Sequence, residues 1–126
     1  MKLLYLPLLI LLSLLPADPI DNIAQLIGKG NVHELARYFP AEVEIGLPGT
    51  DEDTYTKTAA QSMLEKFFAQ NKPLSEKILH KINNGSSFQY GVVILSTAKG
   101  PYRVSFNLKN DNGKIQLVKL IIEAEK

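Results

Sequence analysis

The 126-residue chain has no cysteine, no tryptophan, only two histidines and almost no charge imbalance, with 14 Lys and Arg against 13 Asp and Glu. Without cysteine there is no disulfide scaffold, catalytic thiol, cysteine-based zinc or iron–sulfur site, or lipid-modified N-terminal cysteine. Without a basic excess there is no electrostatic case for nucleic acid, which is bound through clustered Lys and Arg. The lysines are instead scattered between carboxylates and read as a solvated surface. The sequence has no Gly-x-Ser-x-Gly elbow and no phosphate-loop spacing, and Gly85-Ser86-Ser87 reads as a turn. With 45% hydrophobic and 21% charged residues, the composition is ordinary globular. That excludes collagen-like and intrinsically disordered chains, and the length suits one compact domain.

What is present is distributed unevenly. Leu3 to Leu15 reads LLYLPLLILLSLL behind a single Lys2, and Pro16-Ala17-Asp18-Pro19 follows. A basic start, a short apolar stretch and a small residue at the cut are the parts of a signal peptide. The run is shorter than the roughly 20 residues of a membrane span. Residues 1–17 are therefore expected to be removed after Ala17, leaving an exported single domain, 18–126, that is periplasmic or secreted and keeps no stable membrane span. Loss of Lys2 with the leader leaves basic and acidic side chains equal in number.

Downstream, Asp18-Pro19 opens a helix with Ile20, Ile23, Ala24 and Ile27 on one face, and Gly28 and Gly30 stop it. Asn31 with Glu34 resembles a capping box for a second short helix from Val32 to about Phe39, ended by Pro40. Ala41 to Leu47 alternates as a strand, and a polar loop spans Pro48 to Thr54. From Thr56 or Thr58 to about Gln70, Ala60, Met63, Leu64, Phe67 and Phe68 form the apolar stripe of the strongest helix, closed by Asn71 and Pro73. From Leu74 onward the period is 2, through Ser75–Asn83, Phe88–Thr97, Tyr102–Lys109 and Lys114–Glu123. Short Gly- and Asn-rich turns separate these segments, as in an antiparallel meander. The expected class is α+β, with N-terminal helices packed on a curved, mostly antiparallel five-stranded sheet. A sheet that curls around the long helix makes a cone with an open mouth, a place for a ligand.

Three segments, GNVHELARYFPAEVEI, TYTKTAAQSMLEKFFAQNKP and GVVILSTAKGPYRVSFNLK, resemble in order and separation the exported bacterial family of domain of unknown function 4783. The resemblance covers about Asp18 to Glu123. It implies a nuclear transport factor 2-like (cystatin-like) cone, a signal peptide and no assigned activity.

The chemistry-bearing residues are few. His33 and Glu34 are adjacent and point about 100° apart on a helix, so no metal site is expected. Strand parity groups His80 with Ile78 and Ile82; if that face is inward, His80 lines the cone. Tyr90 and Tyr102 need partners or water for their hydroxyls, and a place at the cone mouth supplies either. A concavity lined by His80, Tyr90, Tyr102 and Phe68 is expected, binding a small apolar or amphipathic ligand. No inward carboxylate presents itself as a general base: Glu42 and Glu44 face out, Glu65 is off the stripe, and Asp51, Glu52, Asp53 and Asp111 lie in loops and turns. No catalytic residue and no cofactor is assigned, and the expected role is a non-enzymatic module for a small ligand or a protein partner. The alternative is a small isomerase- or hydratase-like enzyme using the same cone. The last strand places apolar side chains on both faces, as does the run Val92 to Leu95. A homodimer through the outer sheet face, at Leu117, Ile121, Val93 and Leu95, is expected to cover them.

Overall fold

The structure is a computed structural model, and it describes residues 18–83 and 87–125. The expected signal peptide, 1–17, lies outside the described residues. Helix α1, Pro19–Lys29, starts where Asp18 accepts the Ile20 amide at 2.8 Å and Pro19 takes the first turn. It ends at Gly30, whose left-handed φ of 62° turns its N–H back to Leu26 and Ile27. Ile20, Ile23, Ala24 and Ile27 are its buried face. Helix α2, Val32–Ala36, is capped by the Asn31 side chain, which accepts the Glu34 amide at 3.3 Å. It is shorter than its apolar spacing predicts because the following amides, from Arg37 to Phe39, bond three residues back and tighten the chain into turns.

Strand β1, Glu42–Gly46, is followed by β2, Asp53–Thr56, and helix α3, Lys57–Gln70. The Thr56 side chain caps α3 by accepting the Ala59 amide at 3.2 Å. Four long strands complete the chain: β3, Pro73–Ile82; β4, Phe88–Thr97; β5, Gly100–Asp111; and β6, Lys114–Ala124. The sheet has six strands in the order β2-β1-β6-β5-β4-β3, antiparallel except where β1 runs parallel to β6. The expected α+β architecture holds, with one strand more than the pattern predicts. The extra strand is β2, which spans the end of the expected loop, Asp53 and Thr54, and the expected helix start at Thr56; only Tyr55 among its residues is even half-buried, so it carries no alternation.

At the β5–β6 hairpin Asp111 pairs with Lys114, leaving Asn112-Gly113 as a two-residue loop with φ of 53° and 88°. Two successive positive φ values define the turn that follows strand twist, which is why Asn-Gly sits there. Irregularities at Leu74 and Leu79 in β3 and at Val118 in β6 interrupt the ladders. Each inserts one residue, bends the strand and exchanges the faces of the residues beyond it.

The concave side is filled. Ile20, Ile23, Ile27, Leu35 and Leu64 from the helices meet Val93, Leu95, Val104, Phe106, Leu108, Leu117, Leu120 and Ile122 from the sheet, all essentially without exposure. Each such side chain contributes about 1.5–3 kcal/mol by leaving water. At Gly91 a Cβ would stand 2.6 Å from the Phe106 ring and 3.0 Å from Ile20, so the missing side chain lets ring and helix close onto β4.

Candidate functional site: an apolar pocket beside α3

The side chains singled out from the sequence do not converge on one concavity. Leu79 is the inserted residue of β3, so Ile78 pairs with Val93 on the helix side while His80 pairs with Val92 and Ile82 with Tyr90 on the other. The strict two-residue period that joins Ile78, His80 and Ile82 fails at that bulge. His80 is exposed on the outer face, and Tyr90 is half-buried on the same face. Phe68 is buried on α3 but borders a groove with Gly30, Val32, His33 and Pro73. Tyr102 alone of the four stands on the inner face with an opening beside it.

The expected dimer surface needs the same correction. Val93, Leu95 and Leu117 are fully buried in the core on the helix side. Leu117 pairs with Leu108 and Lys119 with Asn107, so Val118 is the inserted residue, which allows both Leu117 and Leu120 to face inward. Of the four named residues only Ile121 is on the outer face, aligned through Ser105 with Val92.

Around Tyr102 the geometry is specific. Helix α3 ends with Asn71, a buried polar residue four positions after Phe67 on the apolar stripe. Its amide nitrogen Nδ2 donates to the Phe67 carbonyl at 3.0 Å, and its Oδ1 accepts the Tyr102 hydroxyl at 2.8 Å. The Asn71 backbone N–H also donates to the Phe67 carbonyl, at 2.9 Å. Burial of an unpaired amide or hydroxyl is costly, and this pairing satisfies both. The Phe67 ring meets the Tyr102 ring edge-on at 5.2 Å and the Phe68 ring edge-on at 5.4 Å, the arrangement favoured by aromatic quadrupoles.

These groups form one wall of a pocket of about 400 Å3, completed by Leu47, Pro48 and Thr50 from the loop after β1 and by Met63, Lys66 and Gln70 from α3. Its volume falls in the range of small-molecule sites, about 300–1,000 Å3. Thr50 is occupied locally, its hydroxyl donating to the Leu47 carbonyl at 3.0 Å and accepting the Leu47 amide at 3.3 Å. Asn71 and Phe67 carried a sequence signal only as helix terminator and core residue. A polar side chain continuing an apolar stripe was the available hint of a buried hydrogen bond.

Elsewhere the ionic contacts serve the frame. Lys81 binds Asp18 and Asp21 at 2.9 and 2.8 Å, joining the start of α1 to β3. The hydrogen bond from Lys81 holds the Asp18 carboxyl below its ordinary pKa, and Asp21 followed by Asp18 raises that of Lys81. Lys119 bridges Glu44 and Glu52, with Glu44 chiefly raising its pKa. Glu76 pairs with Leu95 and turns toward α1, away from the Tyr102 pocket. Among the described residues no helix is long and apolar enough to cross a membrane.

Helices on the concave side of a curved, mostly antiparallel sheet define a nuclear transport factor 2-like fold. A protein of unknown function from Silicibacter pomeroyi, described as NTF-2 like, superimposes with a TM-score of 0.61 at 14% identity over 84% of this chain and 89% of its own. The chain belongs to the family Domain of unknown function (DUF4783), whose model matches residues 20–123. Solved members of that family are similar throughout. One from Bacteroides uniformis has a TM-score of 0.79 at 20% identity, covering 86% of this chain and 99% of its own. Another, from Bacteroides fragilis, has a TM-score of 0.72 at 22% identity over 88% and 99%. At such identities the superpositions speak for the fold alone. No curated protein sequence matches the chain.

Proposed function

We propose that the protein is an exported, non-enzymatic binding module that receives an apolar or amphipathic small molecule in the pocket bounded by Met63, Phe67 and Tyr102. The observation that carries this reading is a packed interior with an apolar recess at its edge. The space beneath the sheet is filled by core side chains, so a ligand has no room there, whereas Leu47, Pro48, Met63, Phe67 and Tyr102 offer apolar surface beside a fixed hydrogen-bonded pair. Few polar groups set in an apolar wall are what orients a small ligand. An isomerase or hydratase would need a base facing the acid. The residues lining this pocket include no carboxylate and no imidazole, and the Tyr102 proton is donated to Asn71, which favours binding over catalysis. The apolar run from Leu3 to Leu15 supports a place of action outside the cytoplasm.

The test is an NMR titration of 15N-labelled protein with 1-octanol, a neutral apolar probe. Saturable shifts at Met63, Phe67, Gln70 and Tyr102, abolished when Met63→Trp fills the recess, are expected. Absence of saturable shifts at these positions overturns the reading.

A further inference from the structure

We propose that the ligand of this pocket is an amphiphile with one anionic head group, of the class of medium-chain carboxylates, whose tail lies against Met63, Phe67 and Tyr102 while Lys66 holds the head. The inference rests on the binding reading above and adds the ligand's charge.

The argument is one of charge and of which donors remain. Lys66 lies on α3 and borders the pocket. Lys66, like most of the other lysines, forms no ion pair among the described residues, and it is the lysine that borders this pocket. No Asp or Glu lines the pocket, so this ammonium is its single ionised group. The other polar groups are largely committed. The Tyr102 hydroxyl donates to Asn71, Thr50 is closed on Leu47, and one Asn71 amide hydrogen serves Phe67. The exposed donors for a head group are therefore the Lys66 ammonium and the Gln70 amide, an arrangement that suits an acceptor-only carboxylate. The lysine stem can lie along an apolar wall with its charge at the water boundary, which places the head group at the pocket mouth and the tail inside. A cationic head would meet repulsion from Lys66. A neutral alcohol would lose the charge-assisted bond.

The experiment compares decanoate, 1-decanol and decylammonium, each titrated into the full protein and its Lys66→Gln variant at pH 7, with NMR shifts giving both site and dissociation constant. Decanoate should bind most tightly. Lys66→Gln should weaken decanoate about two- to fivefold, as expected for a solvent-exposed ion pair, and leave decanol unchanged. Equal binding of decanoate and decanol, or decanoate binding indifferent to Lys66→Gln, overturns the anionic assignment while leaving the pocket reading standing. Tighter binding of decylammonium overturns it as well. Failure of all three probes to shift Met63, Phe67 and Tyr102 overturns the pocket reading itself. Retention of the wild-type amide spectrum by Lys66→Gln shows that the variant is folded, as its exposed position leads one to expect.

Discussion

The Tyr102 hydroxyl donates to Asn71 Oδ1 at 2.8 Å, tying the middle of the sheet to the end of the helix that lies 31 residues earlier in the chain. The bond fixes the edge of β5 against the last turn of α3. It also fixes a polar pair in a pocket wall shared with Leu47, Pro48, Met63 and Phe67. Tyr102→Phe removes the proton that Asn71 Oδ1 accepts and leaves a buried carbonyl oxygen short of a partner. Stability should fall by about 1–3 kcal/mol, read as a lower urea midpoint with an unchanged slope. An unchanged midpoint would show that water replaces the hydroxyl at no cost.

Gly91 sits beneath Phe106. Because a Cβ there would be 2.6 Å from the ring and 3.0 Å from Ile20, Gly91→Ala must displace either the ring or α1. Overpacking of a filled core costs about 1–3 kcal/mol. Thermal unfolding by circular dichroism should show a clear decrease in Tm, and the double variant Gly91→Ala with Phe106→Leu should recover part of it.

Leu117 belongs to the core rather than to a subunit interface. Leu117→Ala should cost about 2–5 kcal/mol, and sedimentation at several concentrations should give the same oligomeric state before and after the substitution. A change of state without a loss of stability would return Leu117 to the surface.

The contact of Asp18 with Lys81 predicts a dependence on acidity. The folded Asp18 carboxyl has a pKa below its unfolded value of about 3.8, so between the two values the unfolded chain binds more protons and stability rises with pH. Its contribution is complete above the unfolded value and disappears as pH falls through the lowered folded value. Lys81→Met should lower Tm at pH 6 and lower it by progressively less toward pH 2. An equal effect at both pH values would assign the loss to packing of the lysine stem.

Protein recovered from a native exporting host should have the mass of a chain beginning at Asp18 and should fractionate as soluble material. A chain that keeps residues 1–17 and sediments with membranes would replace the signal peptide with an anchor.

The helices were legible because their signals are local. The Asp18-Pro19 start, the Gly30 stop and the stripe through Leu64 and Phe67 each act within a turn or two of helix, and Asn112-Gly113 specifies its own hairpin. The faces of the strands were less legible, since parity counting assumes an uninterrupted ladder. The bulge at Leu79 sends His80 away from Ile78, and the one at Val118 turns Leu117 into the core, although neither insertion has a glycine or proline to announce it. Strand β2 was hidden for another reason: it pairs only with β1, and only Tyr55 in it is even half-buried. The parity of Tyr102 was legible because β5 alternates cleanly from Tyr102 to Leu108. Its partner Asn71 signals only a helix end, since a hydrogen bond between residues so far apart leaves no periodic trace.

The measurement that bears most directly on the binding account is the set of intermolecular nuclear Overhauser effects between decanoate and the isotope-labelled protein. The account predicts contacts from the terminal part of the chain to the Met63 methyl and the Phe67 and Tyr102 rings, with the methylene next to the carboxylate near the Lys66 side chain. Contacts confined to the groove at His33 and Phe68, or none at saturating ligand, would contradict it.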